Sequence, residues 1–258
     1  MSGTVVVTGA SGHIGFHVAR ALIAGGYRVE LLLRSRNVLT DRLECAGAVV
    51  HLVDLLDPAT YRSILQHAAG LFHLAAANTT SQREAEATTR STAGLTEAVI
   101  GAALEAGIPK VVYTSSVVVL GRSPDPRRLI REEDDTSSAE SPYVRGKSAA
   151  ERYCREQNAA GADIRIVYPS WVVGPDDPKL TPPHKLVTDF VAKGQAFYFA
   201  GGISIAHVAE VAEAHVAAFE RGAARGRYVL GGANMTFEDF YRLLAQCSGR
   251  KPPKLFLP

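Results

Sequence analysis

The chain has 258 residues, 47% of them hydrophobic, and 28 Lys and Arg stand against 26 Asp and Glu. This is the composition of a folded globular protein of one large or two small domains, and a net charge of +2 with a pI of 8.4 is too mild to argue for nucleic acid. Cys45, Cys154 and Cys247 form no CxxC and no even framework, no apolar run reaches membrane length, and a strand-like stretch begins at Thr4 with no signal peptide before it, so a reducing cytoplasm is expected.

The first predicted strand, TVVVT at 4–8, leads through a glycine loop into a helix over 13–24, with Ile14, Val18 and Leu22 on one face and Gly25-Gly26 as the stop. Gly9, Gly12 and Gly15 follow GxxGxxG. That pattern fits a tight turn at Gly9, close approach to a pyrophosphate at Gly12 and helix–sheet packing at Gly15. A lone glycine triplet is weak, but this one follows a strand and opens a helix, the context that identifies a dinucleotide loop. The pyrophosphate would rest on the helix N-terminus, where free N–H groups favour anions.

The second strand, RVELLL at 28–33, ends on Arg34, with Arg36 just beyond. NAD enzymes of this class tend to place an acid here for the ribose 2′-hydroxyl, whereas a guanidinium suits a 2′-phosphate. NADP(H) is therefore favoured over NAD(H), the alternative being two solvated loop arginines. A third strand, 48–53, is followed by Asp54, which reads equally as an adenine contact or a loop acid. The fourth, 71–75, closes on small residues that let a cofactor, or a neighbouring helix, lie close. A helix is expected over 91–107, a fifth strand over 110–116 and a sixth over 164–169. Strand and helix alternating in this way imply an α/β fold, a doubly wound parallel sheet with helices on both faces.

Beyond Pro169 the pattern loosens. A loop is expected over 174–185, a helix over 185–193, a strand running into a helix over 203–222, a strand over 226–232, and a helix over 236–249 capped by Thr236. The domain expectation is a dinucleotide-binding domain at 1–173 and a mainly substrate-binding lobe at 174–258, with 203–232 returning to the sheet.

Carbonyl chemistry beside a nicotinamide needs a proton donor, a cation that makes the donor more acidic, and a hydrogen-bond donor for the carbonyl oxygen. Tyr143 and Lys147, at i and i+4 in SPYVRGKS, share one face of a helix that starts at Ser141-Pro142, and the ammonium is expected to lower the phenol pKa. Composition alone produces such a pair in about one chain in four, so the motif needs its context. The fifth strand supplies Thr114, Ser115 and Ser116 at its carboxyl end, where open α/β sheets bind ligands, and alternation lets only one of the two serines face the site.

Together TGASGHIG, DLLD, FHLAA, VVYTSS, YVRGK and YPSWVVGP resemble, in order and spacing, an extended short-chain dehydrogenase/reductase of the NAD-dependent epimerase/dehydratase superfamily. The likeness is greatest to the dihydroflavonol-reductase-like and hopanoid-associated sugar epimerase-like group. The resemblance implies a Rossmann-type sheet with a small C-terminal lobe and assigns catalysis to Ser116, Tyr143 and Lys147. Besides the glycines, Arg34, Arg36 and Asp54, it sets Ser11, His13, Ile14, Leu55, Leu74, Ala75, Ala76, Thr114, Tyr143, Lys147, Pro169, Ser170 and Val172 against the cofactor. Asn78, Ser116, Val117 and Trp171 are expected at the substrate.

The chain departs from the family at Thr92, where an asparagine is usual, at Tyr168, where RPS is usual, and at Ala209 and Glu210 in place of two acids. Relatives usually continue beyond the position of Pro258, so a more open pocket is expected. The implied activity is an NADP-dependent oxidoreductase, or ketoreductase, of a small-molecule carbonyl or alcohol. The alternatives are a nucleotide-sugar epimerase or dehydratase with a tightly held cofactor, and a cofactor-sensing protein without turnover. Neither nucleic acid nor membrane is an expected partner, and a homodimer is the assembly to test. No His/Cys/Asp cluster has metal spacing along the chain, so no metal is expected. His73 reads as a buried strand histidine, His207 and His215 as solvated or capping, and Trp171 as pocket lining or core.

Overall fold

The computed structural model describes residues 3–76, 85–121, 125, 128–134 and 141–257, with side chains of 85–91 excluded. Its elements are β1 (Thr4–Thr8), α1 (His13–Ala24), β2 (Arg28–Leu33), α2 (Val38–Cys45), β3 (Val49–Leu52), α3 (Arg62–Leu65), β4 (Gly70–His73), α4 (Ala85–Glu105), β5 (Val111–Thr114), α5 (Pro142–Ala159), β6 (Ile164–Pro169) and β7 (Trp171–Val173). There follow α6 (Pro182–Lys193), β8 (Phe197–Phe199), β9 (Gly202–His207), α7 (Val208–Arg221), β10 (Arg227–Leu230), β11 (Ala233–Thr236), α8 (Phe237–Ser248) and β12 (Leu255–Leu257).

Seven strands form one parallel sheet in the order β10-β6-β5-β4-β1-β2-β3. Strands β4, β5 and β6 are buried along their whole length, which is why they read as continuous apolar runs. One core layer packs α1 and α7 on the sheet through Phe16, Val18, Leu22, Val211 and Phe219. The other packs α4 and α5 through Val99, Ile100, Ala103, Ala150 and Cys154. The strand order reverses between β1 and β4, which opens a crevice at the strands' carboxyl ends. Smaller sheets, β11-β9-β7 and β12-β8, lie outside the main one.

The predicted strands at 4–8, 28–33 and 164–169 keep their bounds. Within 203–232, β10 joins the main sheet beside β6, whereas β9 pairs with β7 and β11. The α2 helix is absent from the sequence reading. It is held by a local device, a capping box in which Asn37 Oδ1 accepts from Leu39 N and Thr40 N while Thr40 returns a bond to Asn37 N.

Candidate functional site

The glycine loop at the end of β1 separates the three glycines by function. Gly9 has φ +78°, and a Cβ there would sit 2.7 Å from Ala75 N. A Cβ on Gly15 would lie 2.2 Å from Gly9 O, so both are demanded by the protein's own packing. Gly12 is different, since its Cβ would meet only Gly9 O at 3.4 Å. Its bareness serves no internal contact and leaves the backbone open to a close external approach. No side chain caps α1, and the first helical bond is Phe16 N to Gly12 O, which leaves the N–H groups of His13, Ile14 and Gly15 without intrahelical acceptors. An uncapped, glycine-faced helix N-terminus fits a dinucleotide diphosphate.

The loop is steadied from both sides. Thr8 Oγ1 accepts from Leu74 N and Ala75 N, 3.2 Å each, and lies 2.8 Å from His73 Nδ1. His73 is fully buried, and that burial lowers its pKa to about 3, the structural histidine expected. Asn37 Nδ2 donates to Ser11 O at 2.9 Å, tying the glycine loop to the start of α2. No signal within the chain's local pattern pointed to that tie.

The two arginines part company. Arg36 is gripped by Glu44 through two guanidinium nitrogens, one at 2.8 Å, and also reaches Asp41. Arg34, exposed at the end of β2, has no hydrogen bond or ion pair among the described residues and is the guanidinium left for a ligand. Asp54 is exposed and its Oδ1 accepts from Leu56 N at 3.0 Å, a loop-closing turn that leaves Oδ2 free. Leu55 is buried beneath it, and Leu74, Ala75 and Ala76 are half-buried at the end of β4.

At the carboxyl end of β5 the two serines diverge, as alternation requires. Ser115 is buried and donates to Glu151 Oε2 at 2.7 Å. Ser116 is half-buried and stands near enough to the Tyr143 phenol to draw its pKa down. Val117 begins the single 3₁₀ turn that follows. Tyr143 and Lys147 stand in the first turns of α5, whose start is set by Ser141 Oγ accepting from Val144 N at 3.2 Å and by Pro142 in the first helical position. Lys147 is 5% exposed, and its Nζ donates to Thr114 O at 2.8 Å. Burial lowers its pKa to about 8, while the nearby Glu151 opposes that fall.

The phenol does not behave as expected. Tyr143 is 38% exposed as a residue, yet desolvation of the phenol raises its pKa, with Ser116 pulling the other way. That desolvation is the largest influence and outweighs the expected depression.

Glu151, one further turn along α5, is 2% exposed. Its Oε1 accepts from Tyr168 OH at 2.8 Å, and Arg227 Nε donates to that same phenol at 2.7 Å. The position the family usually gives to arginine thus holds Tyr168, and the guanidinium arrives from β10 instead. His215 overturns its expectation. It is fully buried, bonded to Thr114 Oγ1 at 3.0 Å and Val211 O at 2.7 Å, because α7 lies over the sheet. His207 does cap α7, accepting from Ala209 N at 3.2 Å. Thr92 is buried and its carbonyl accepts from Thr96 Oγ1 at 3.0 Å.

Pro169 and Val172 are buried, Ser170 is half-buried with an unpartnered Oγ, and Trp171 packs edge-on to Phe237 at 6.1 Å. Asn78 and its segment lie outside the described residues. An apolar groove of about 640 Å³ runs between α6, β9 and α8, lined by Val187, Ile205, Met235, Phe240 and Leu244 among others, and none of Ser116, Tyr143 or Lys147. Histidine and aspartate also gather in space, where sequence spacing offered no metal set: ring nitrogens of His13 and His184 and a carboxylate oxygen of Asp177 lie within 4.8 Å of one another.

A model of the NAD dependent epimerase/dehydratase family matches residues 5–231. A Synechocystis protein provisionally named a dihydroflavonol 4-reductase is 32% identical over 100% of this chain and 76% of its own. The 4-hydroxy-2-methyl-3-oxo-4-farnesyl-3,4-dihydroquinoline-1-oxide ketoreductase of Stigmatella aurantiaca is 30% identical over 95% of this chain and 73% of its own. The crystal structure of PA4631, a nucleoside-diphosphate-sugar epimerase from Pseudomonas aeruginosa, aligns with a TM-score of 0.86 at 26% identity, covering 100% of this chain and 81% of that one.

Proposed function

The chain belongs to the NAD dependent epimerase/dehydratase family and is an NAD(P)-dependent enzyme of oxidoreductase type, and on that footing we propose that it reduces a small-molecule ketone or aldehyde to the alcohol with NADPH. The observation that carries the reading is the nearness of Ser116 to Tyr143 beyond the carboxyl end of β5, with the buried Lys147 one turn along α5 bonded to the Thr114 carbonyl at 2.8 Å. The reductase relatives favour net reduction over epimerisation.

The nicotinamide cofactor, when bound, supplies the hydride. The N–H groups at the start of α1, with Gly12, hold the diphosphate, and Arg34 takes the 2′-phosphate that distinguishes NADPH. Ser116 and Tyr143 lie near one another, so a carbonyl oxygen placed against them accepts from both hydroxyls. The phenol, held above its ordinary pKa, is fully protonated at neutral pH and gives its proton to the oxygen as the alcohol forms. Lys147 keeps a positive charge beside the phenolate left behind and so makes that transfer less costly.

A panel of carbonyl compounds against NADPH oxidation tests this. One class of substrate should consume NADPH stoichiometrically, and Tyr143→Phe should lower turnover by roughly 10²–10⁴ while NADPH still binds. Retained turnover in that variant refutes the mechanism. Protein that purifies with bound cofactor and converts a nucleotide sugar with no net NADPH loss favours the epimerase chemistry of its structural neighbour.

A further inference from the structure

We propose that His13, Asp177 and His184 form a binding site for a divalent transition-metal ion, with zinc the best fit. The three come from separate segments: the first turn of α1, the loop after β7, and α6. The contact between His184 and Asp177 carries the argument. His184 Nε2 lies 2.7 Å from the Gly174 carbonyl oxygen and 3.2 Å from the Gly174 N–H. With the ring proton assigned to Nε2 for the shorter contact, to the carbonyl, Nδ1 carries the lone pair. That Nδ1 then faces the Asp177 carboxylate at 2.8 Å, a lone pair against an anion. Two acceptors that close need a cation between them, either a second ring proton or a metal ion.

His13 decides between the two. Its side chain is buried, 6% exposed, and its Nε2 has no hydrogen-bond partner. It packs edge-on to His184, with ring centroids 4.7 Å apart. A bridging proton would leave that nitrogen stranded, whereas an ion takes it as a third ligand. Ligand atoms at about 2.0–2.2 Å from a tetrahedral zinc stand ~3.3–3.6 Å from one another. The present spacing, 2.8 Å for the one pair and no more than 4.8 Å for any, reaches that geometry with shifts of about 1 Å.

The surroundings are those of a metal site as well. A ligating imidazole normally donates its other N–H to a carbonyl, and a ligating carboxylate is itself hydrogen-bonded. His184 has Gly174 O for the first role. Asp177 Oδ2 accepts from Thr181 N at 2.7 Å and Thr181 Oγ1 at 2.6 Å, and Oδ1 from Lys179 N at 3.2 Å. Two imidazoles and one carboxylate suit zinc rather than calcium or magnesium, and three protein ligands leave a fourth position for water or a ligand.

The test is a calorimetric titration of the chelator-stripped full-length protein with Zn²⁺, in two buffers of different ionisation enthalpy. One ion per chain should bind with Kd below about 1 µM, and binding should release protons. His184→Ala and His13→Phe should each weaken binding beyond ~100-fold, and Thr181→Val, which keeps volume and removes only the outer hydroxyl, by ~10–100-fold. The proposal is overturned if the wild-type protein takes up no zinc, since a proton alone then bridges His184 and Asp177. It is equally overturned if binding survives all three substitutions, because the exposed Cys45 and Cys247 would then be the ligands.

Discussion

Glu151→Gln separates a structural carboxylate from one that sets the chemistry of its neighbour. The carboxylate accepts from Ser115 at 2.7 Å and Tyr168 at 2.8 Å, and Arg155 and Arg227 stand 3.6 and 3.7 Å away. Glutamine keeps the shape and one acceptor, so one hydrogen bond to a charged group is lost, about 1.5–3 kcal/mol. For a chain of this size that is a fall in Tm of about 3–12 °C. The second consequence is electrostatic. Opposite charges one helical turn apart, about 6 Å, couple by about 1.4 kcal/mol at an effective dielectric of ~40, a factor of about ten in a protonation equilibrium. Lys147, already lowered to about 8 by burial, loses the anion that supports its ammonium and falls further. The ammonium is present below its pKa and lost as pH rises through it, so the alkaline limb of kcat should move down by roughly one pH unit. Tyr168→Phe is the control, because it removes the two hydrogen bonds of the phenol, to Glu151 and from Arg227, and leaves the charge. It should lower Tm and leave the limb in place. If the Gln variant loses stability with its alkaline limb unmoved, Glu151 does not act through Lys147 and the coupling argument fails.

Two further outcomes follow from the cofactor end. Arg34→Ala should weaken NADPH binding by about 1.5–3 kcal/mol, roughly 10–150-fold, and leave NADH unchanged; an unaltered NADPH preference by fluorescence titration would refute the 2′-phosphate assignment. Arg36→Ala should have the smaller effect, because Glu44 already holds that guanidinium. Gly15→Ala and Gly12→Ala should split packing from binding. The first forces a Cβ to 2.2 Å from Gly9 O and should cost about 3 kcal/mol or more, seen as a lowered Tm. The second meets nothing nearer than 3.4 Å and should keep Tm within ~2 °C while dinucleotide affinity drops more than tenfold.

The parts of this molecule that depend on near neighbours were legible from residues alone. Buried parallel strands announce themselves as apolar runs, and β1, β2 and β6 kept their bounds. The glycine loop and the start of α5 are set by backbone requirements within a few residues. The Ser116 assignment came from the family resemblance, and of the two serines Ser115 is the one taken by Glu151. What escaped needs partners far along the chain. Nothing local marks His215 as buried beneath Thr114, 101 residues away. The expectation of a lowered Tyr143 pKa followed from i, i+4 spacing with Lys147, and spacing says nothing of the desolvation that raises it.

The departures from the family pattern show the same physics at work. A buried carboxylate on α5 must be matched by donors and positive charge. In this chain the strand position that usually bears arginine carries Tyr168, and positive charge comes from Arg155 on α5, 3.6 Å from Glu151, and from Arg227 on the neighbouring strand, at 2.7 Å from the phenol and 3.7 Å from Glu151. The demand belongs to Glu151, and the residue that meets it can move to another strand. Reading Tyr168 alone suggests a loss, whereas Glu151, Tyr168 and Arg227 together restore the balance. The same holds for His13: a histidine on the first turn of a dinucleotide loop looks like a chance substitution until Asp177 and His184 are folded against it.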